Sequence, residues 1–331
     1  MLVGNYEKKI SVTFNVSRVF ALLSIVSAHL TFSDSCPYII SKLYSAIGSI
    51  GVIAFLIISG YYYNSAKYSN PLRMLQDKAI RLGIPWIVWG SFSYAYGRIM
   101  SGEIISIGDY LKYIVGDESF LYYLTVLVLC YLIFFRTNKI IQICSVGITI
   151  VSLMLTASGL FDGYVSFMRM TNYLNVFNWI GIFALGMLLR KINAESLYRF
   201  FVKCRWFALG LFSISVGLVC YFNLKTGYFS YLGIWIELLG ALAIFSISTI
   251  KMFENRVFAT AAELSFVVYL TNIVANGVVN DIYNLTVPTQ ALAGFIVTTF
   301  CVFGFWVVKM ISIKIKCQKI VFPVLGIRTQ K

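Results

Sequence analysis

The sequence predicts an all-α integral membrane protein, a bundle of about ten transmembrane helices with both termini in the cytoplasm. Three observations carry this. Of its 331 residues 59% are hydrophobic and only 12% charged, the composition of a polytopic membrane chain rather than of a soluble domain. Apolar segments of about 17 to 23 residues, each enough for one crossing of the hydrocarbon core, recur along the whole length. Basic residues alternate between the segments as the positive-inside rule requires.

The segments fall at roughly 14–33, 44–63, 80–100, 119–135, 140–160, 173–189, 206–223, 230–250, 257–279 and 290–312. An even number puts both ends on one side. If that side is the cytoplasm, the inner connections hold 22 of the 27 basic residues, with clusters at Lys67–Arg81, Arg190–Arg205 and Lys309–Lys331. Only Lys42, Arg98, Lys112, Arg169 and Lys225 fall outside, where the loops take acids such as Glu103, Asp109 and Asp117. Residues 1–331 read as one polytopic domain with no appended soluble domain. The longest polar stretches are Ser101 to Glu118 outside and Arg190 to Arg205 inside, and the basic tail after Met310 is expected to lie along anionic lipid.

Several classes are disfavoured. The net charge of +14 is explained by topology, and no basic patch carries interleaved exposed aromatics, so nucleic acid is not an expected partner. Seven cysteines without a C-x-x-C pair and a single histidine argue against a disulfide framework and a metal site. Lys8 and Lys9 precede the first apolar run as in a signal peptide, but the run holds Arg18 and His29 and no cleavage site follows. It reads as a retained span. No internal repeat is visible, which disfavours transporters built from duplicated halves.

Arg18 and His29, the only histidine, lie eleven residues apart. On a helix that is about three turns, so both point to nearly one side, about 16 Å apart along the axis. Taken singly, Arg18 can snorkel to one interface and His29 can sit at the other. Taken together on one face, they mark a functional path through the membrane. Glu237 is a further ionisable residue inside a span, in GIWIELLGALAIF. It either orients the imidazole or is protonated and hydrogen-bonded within the bundle.

Five stretches resemble the membrane-bound acyltransferase-3 family, the O-acyltransferases that modify bacterial surface glycans. Arg18-x10-His29 is similar to the family's arginine and histidine signature. GVIAFLIISGYYY from Gly51 resembles G-V-x-x-F-F-x-x-S-G, with Phe55, Ser59 and Gly60 matching and Leu56 replacing the second phenylalanine. DKAIRLGIPWIVW from Asp77 is close to K/R-x-x-R followed by an apolar residue and proline, on Lys78, Arg81 and Pro85. SFLYYLTVLVLCYL resembles W-F-L-Y-x-L, with Ser119 where tryptophan is usual, and LSFVVYLTN resembles S-x-x-Y-L-x-H, with Asn272 for histidine. A mechanism needing a second titrating group at Asn272 is therefore excluded. The glutamate that longer members carry early in the fourth span has no counterpart, Leu124 falling about there.

The resemblance implies transfer of an acyl group, most often acetyl from acetyl-CoA as co-substrate, without a metal. The acceptor it implies is a sugar hydroxyl of a surface polysaccharide (O-antigen, capsule or exopolysaccharide) or its lipid-linked precursor, at the bacterial cytoplasmic (inner) membrane. His29 is then the general base, since imidazole titrates near neutrality, and Arg18 positions the donor. Lys78 and Arg81 are either phosphate contacts for the polyanionic donor or positive-inside anchors. Ser59 and Tyr122 are candidates to hold acceptor or intermediate, while Ser59-Gly60 also suits close helix packing. A multi-span transporter of glycans or small solutes is the competing class, against which the paired R-x10-H and K-x-x-R speak. Within the enzyme class the alternative is another acyl group, such as succinyl.

Overall fold

In hydrocarbon a chain must satisfy its own backbone hydrogen bonds, so apolar stretches of this length fold as helices. The computed structural model describes residues 2–30, 37–117, 119–160, 171–282 and 287–327, and these contain no strand. In order the α-helices are α1 (Leu2–Ala28), α2 (Tyr38–Gly48), α3 (Ile50–Tyr62), α4 (Pro71–Lys78), α5 (Ile84–Ser101), α6 (Ile107–Val115) and α7 (Tyr122–Ile133). Then come α8 (Lys139–Ala157), α9 (Ile180–Leu189), α10 (Ala194–Tyr221), α11 (Tyr231–Ile247), α12 (Arg256–Ile282), α13 (Val287–Lys314) and α14 (Gln318–Val324).

Every predicted segment contains a helix, the first running on into residues 31–33, which lie outside the described residues. Among the described residues six are long and apolar enough to cross a membrane: Asn5–Ala28, Tyr38–Tyr62, Lys139–Ala157, Ala194–Tyr221, Arg256–Val279 and Leu292–Lys314. Tyr122–Ile133, Val176–Leu189 and Tyr231–Ile247 are apolar but shorter. The 18-residue α5 is more polar because Ser93, Tyr94, Gly97, Arg98 and Ser101 form one face that borders a cavity.

Three features differ from the sequence expectation. The first helix begins at Leu2 rather than near residue 14, which moves Arg18 from near a span end to well inside the helix. Its polar first turns are stabilised from α10, where the Tyr198 ring meets Tyr6 and the Lys9 ammonium. The second span is interrupted at Ser49. There Ser24 of α1 donates its hydroxyl to the Ile47 carbonyl at 2.6 Å and accepts from the Gly51 amide at 2.9 Å. A hydroxyl inserted between a carbonyl and the amide four residues on breaks the helical ladder. Finally, the described part of the tail is tied to the bundle. α14 folds back, burying Phe322, Leu325 and Ile327, and Trp89 Nε1 donates to the Val324 carbonyl at 2.9 Å.

α1 contacts α2, α3, α10, α11, α12 and α13, and so sits centrally. α7 is apolar on all sides, as a helix enclosed by others should be, and buries Tyr122, Tyr123, Leu124, Leu127, Cys130 and Tyr131. α9 packs against α3 and α8.

Candidate functional site

α1 ends in a loosened turn, in which the His29 amide donates to the Val26 carbonyl at 3.2 Å and the Leu30 amide to the Ser27 carbonyl at 3.4 Å. That turn delivers the half-buried His29 into a cavity of about 970 Å³, its ring edge-on to Phe120 with centroids 5.9 Å apart. Serine hydroxyls (Ser49, Ser93) and tyrosines (Tyr94, Tyr113, Tyr122, Tyr228) line the walls. α6 lies across one side, held by Trp86 Nε1 donating to the Ile114 carbonyl at 3.0 Å and by the Ser91–Tyr110 hydroxyl pair at 2.8 Å. At the rim Arg98 pairs with Glu103 and, at 3.3 Å, with Asp109. A single imidazole among hydroxyls and aromatic faces suits proton transfer from a neutral, polyhydroxylated molecule.

Arg18 lies elsewhere. Its guanidinium donates to Asn15 Oδ1 at 3.3 Å, stands over the Tyr62 ring at 5.4 Å and acts electrostatically on the Tyr123 hydroxyl. Tyr123 in turn shares a hydrogen bond of 3.3 Å with Ser59 and packs 6.4 Å from Phe55. The structure thus gathers Arg18, Phe55 and Ser59 around Tyr123, a residue the sequence reading passed over for Tyr122. One residue turns a helix by about 100°, so the two tyrosines face apart. Tyr122 stacks with Tyr173 and Trp179 on the cavity side, whereas Tyr123 shares a face with Leu127 and Tyr131. Tyr122, Val126 and Cys130 repeat at the same spacing and are also buried, so the sequence alone does not separate the two tyrosines. Between the two sites runs an unbroken series of rings, His29 to Phe120 at 5.9 Å, Phe120 to Tyr269 at 5.7 Å and Tyr269 to Tyr123 at 5.7 Å.

Glu237 is 2% exposed, with Ser49, Tyr122, Tyr173 and Tyr228 close by, and its Oε1 is buried without a hydrogen-bond partner among the described residues. Among the described residues no hydrogen bond joins it to His29, and it lies behind the tyrosine wall of the cavity. It also borders a second cavity, of about 80 Å³, beside Trp179 and Asn178. Asn272, fully buried, donates to the Tyr269 carbonyl of its own helix.

Lys78 precedes, and Arg81 lies within, a π-turn, Ala79–Gly83, that joins α4 to α5. The wider turn sends them to different partners: the Lys78 ammonium stands over the buried Tyr131 ring at 4.2 Å, and Arg81 pairs with Asp77 at 2.7 Å. Burial opposes the Asp77 charge, but the Tyr68 hydroxyl donating at 2.6 Å, with Arg81, Lys67 and Lys78, holds its carboxyl below the usual range. Arg81→Ala should therefore cost no more than about 1 kcal/mol in thermal unfolding, since the pair is partly exposed. A tenfold or greater loss of acyl-CoA affinity in the same variant, measured by direct binding, would mark a phosphate contact beyond that pairing. Gly60 is explained by packing: a Cβ there would meet the Phe183 carbonyl at 2.0 Å.

Among the described residues no three His, Cys, Asp or Glu side chains come together as a metal site. No curated protein and no solved structure matches the chain. Residues 12–307 match the family model of an acyltransferase domain.

Proposed function

The chain belongs to the acyltransferase-3 family and is an acyltransferase, and from that premise we propose that it moves an acetyl group from acetyl-CoA to a sugar hydroxyl. The observation that carries this is the placement of the only histidine at a roomy, hydroxyl-lined cavity. The transporter reading gives way to the enzyme.

In the proposed reaction an acceptor hydroxyl lies in the cavity and gives its proton to the free nitrogen of the His29 imidazole. Its oxygen attacks the thioester carbonyl, the carbon–sulfur bond breaks, and the leaving thiolate takes up the proton, giving an ester and free CoA. The donor comes from the opposite end of the bundle, where Lys78 and Arg190 lie near Tyr131 and Tyr63. Arg18 and Tyr123 hold its acyl end, and the rings of Tyr269 and Phe120 border the way to His29. The acceptor is a surface polysaccharide, such as O-antigen or capsule, or its lipid-linked precursor, and the site is the bacterial inner membrane.

The test uses purified protein in lipid nanodiscs, with acetyl-CoA or succinyl-CoA and a panel of alkyl glycosides. Thiol release coupled to acylated glycoside is the expected result, faster with acetyl-CoA. Folded protein that releases no thiol from either donor would end this reading.

Orientation is part of the proposal, resting on 22 of 27 basic residues on one side. In a cysteine-free background Lys112→Cys should react with an impermeant maleimide in intact cells. Ile320→Cys, also exposed on the bundle, should react only after permeabilisation. The opposite labelling pattern inverts the topology.

A further inference from the structure

The end of α1 that carries His29 is gripped from three sides. Ser24 occupies the break between α2 and α3. Gly294 of α13 lies so close that an added Cβ would meet Ser27 Oγ at 2.5 Å. From α12, Asn276, only 2% exposed, donates its Nδ2 to the Val26 carbonyl at 3.1 Å. That same carbonyl accepts the His29 amide at 3.2 Å. One oxygen thus takes both the bond that closes the last turn and the bond that ties the turn to a neighbouring helix.

Carbonyls of a last helical turn lack their full set of intrahelical donors, and such ends fray. The turn holding His29 relies on two long bonds, at 3.2 and 3.4 Å. Without the donor from α12 the Val26 carbonyl keeps only the 3.2 Å bond from the His29 amide among the described contacts. A packing role alone does not account for an amide here, because its Oδ1 is buried without a partner among the described residues. Leucine would fill similar space without that desolvated acceptor. Asn272, one turn earlier and with an equally unpartnered Oδ1, supplies the contrast: among the described residues its Nδ2 bonds only the Tyr269 carbonyl of its own helix.

We infer that Asn276 is a positioning residue for acyl transfer, fixing the end of α1 and with it the direction in which His29 enters the cavity. This rests on the reading of His29 as the base. Displacement of a reacting group by about 1 Å can cost on the order of 100-fold in rate, so a turn released from α12 should show in turnover.

The experiment compares Asn276→Leu, Asn276→Gln and Asn272→Leu in the full chain in nanodiscs. Because His29 is the chain's only histidine, the part of the diethyl pyrocarbonate signal at 240 nm that is missing from a His29→Ala sample in the same nanodiscs reports on it alone. Asn276→Leu should change the His29 modification rate by about threefold or more. It should lower kcat about tenfold or more and leave KM for acetyl-CoA within about twofold. Asn276→Gln, which keeps the donor, should recover part of both losses, and Asn272→Leu should alter neither. Should Asn276→Leu not fold, Asn276→Ser removes the amide at smaller volume and carries the same comparison. An unchanged modification rate in the folded variant, or an equal change in Asn272→Leu, overturns the inference. Full activity of His29→Ala would instead end the reading of His29 as the base and leave the modification result for Asn276 standing.

Discussion

His29→Ala should lower acyl transfer by about 100- to 10,000-fold, the usual worth of a general base, while leaving acetyl-CoA bound. Binding survives because the imidazole opens onto the cavity and not onto the cationic end of the bundle, where Lys78 and Arg190 stand. Arg18→Ala should lose donor affinity, turnover or both. Arg18→Lys should not restore it, since an ammonium lacks the planar fork that reaches Asn15 and covers the Tyr62 ring. The two residues are about 16 Å apart along one helix, too far for direct contact. If they nevertheless serve one transfer step, the double variant will be scarcely slower than the slower single, because members of a catalytic unit are grossly non-additive. Product formed per unit of membrane-inserted protein, for all four forms, decides it. Near-wild-type transfer by His29→Ala would remove the base from the mechanism.

The legible parts of this molecule were those set by the solvent. Hydrocarbon demands helices of a certain length, so ten apolar segments could be placed from composition alone, and each contains a helix. What the sequence concealed was made by contacts between distant residues. The Gly48-Ser49 pair in SAIGSIG permits a break, but the hydroxyl that makes it comes from Ser24 on another helix. The start of α1 was misplaced because Asn5, Lys8 and Lys9 look like a flank, whereas tertiary contacts with Tyr198 continue the helix through them. The same holds at the site. Arg18 and His29 were visible as charges out of place, and both do turn toward the segment Phe120–Tyr123. Yet the choice between Tyr122 and Tyr123 depended on how α7 is rotated in the bundle, and the surroundings of Glu237 on how α11 is. Only packing decides that.

Gly60→Leu and Gly186→Leu should each prevent recovery of folded protein, the largest structural effects expected in this chain. Without a hydrophobic force between helices in lipid, association depends on close van der Waals contact, which small residues allow. At the α3–α9 crossing two glycines face each other's backbone. A Cβ on Gly60 would lie 2.0 Å from the Phe183 carbonyl oxygen, and one on Gly186 would lie 2.0 Å from the Ile57 carbonyl oxygen. Both obstacles are main chain, so no rotamer change relieves them; the helices must separate until the contact exceeds 3.0 Å. α9 has nowhere to go. On its other side Gly181 approaches the Ser145 carbonyl, where a Cβ would sit at 2.6 Å. There Thr149 accepts from the Gly181 amide and donates to the Phe177 carbonyl, both at 2.7 Å. Overpacking costs about 1–3 kcal/mol where side chains can adjust, and Gly60→Ala, against rigid backbone, should reach at least the upper part of that range. Gly217 on α10, with open space around its Cβ position, is the control. There alanine should be neutral or add up to about 1 kcal/mol through helix propensity. The Gly60→Ala/Gly186→Ala double variant should be less damaging than the two singles added, since one separation relieves both clashes. Thermal unfolding followed by fluorescence-detected size exclusion ranks these variants. Equal stability of Gly60→Ala and Gly217→Ala would show that α3 and α9 do not approach this closely.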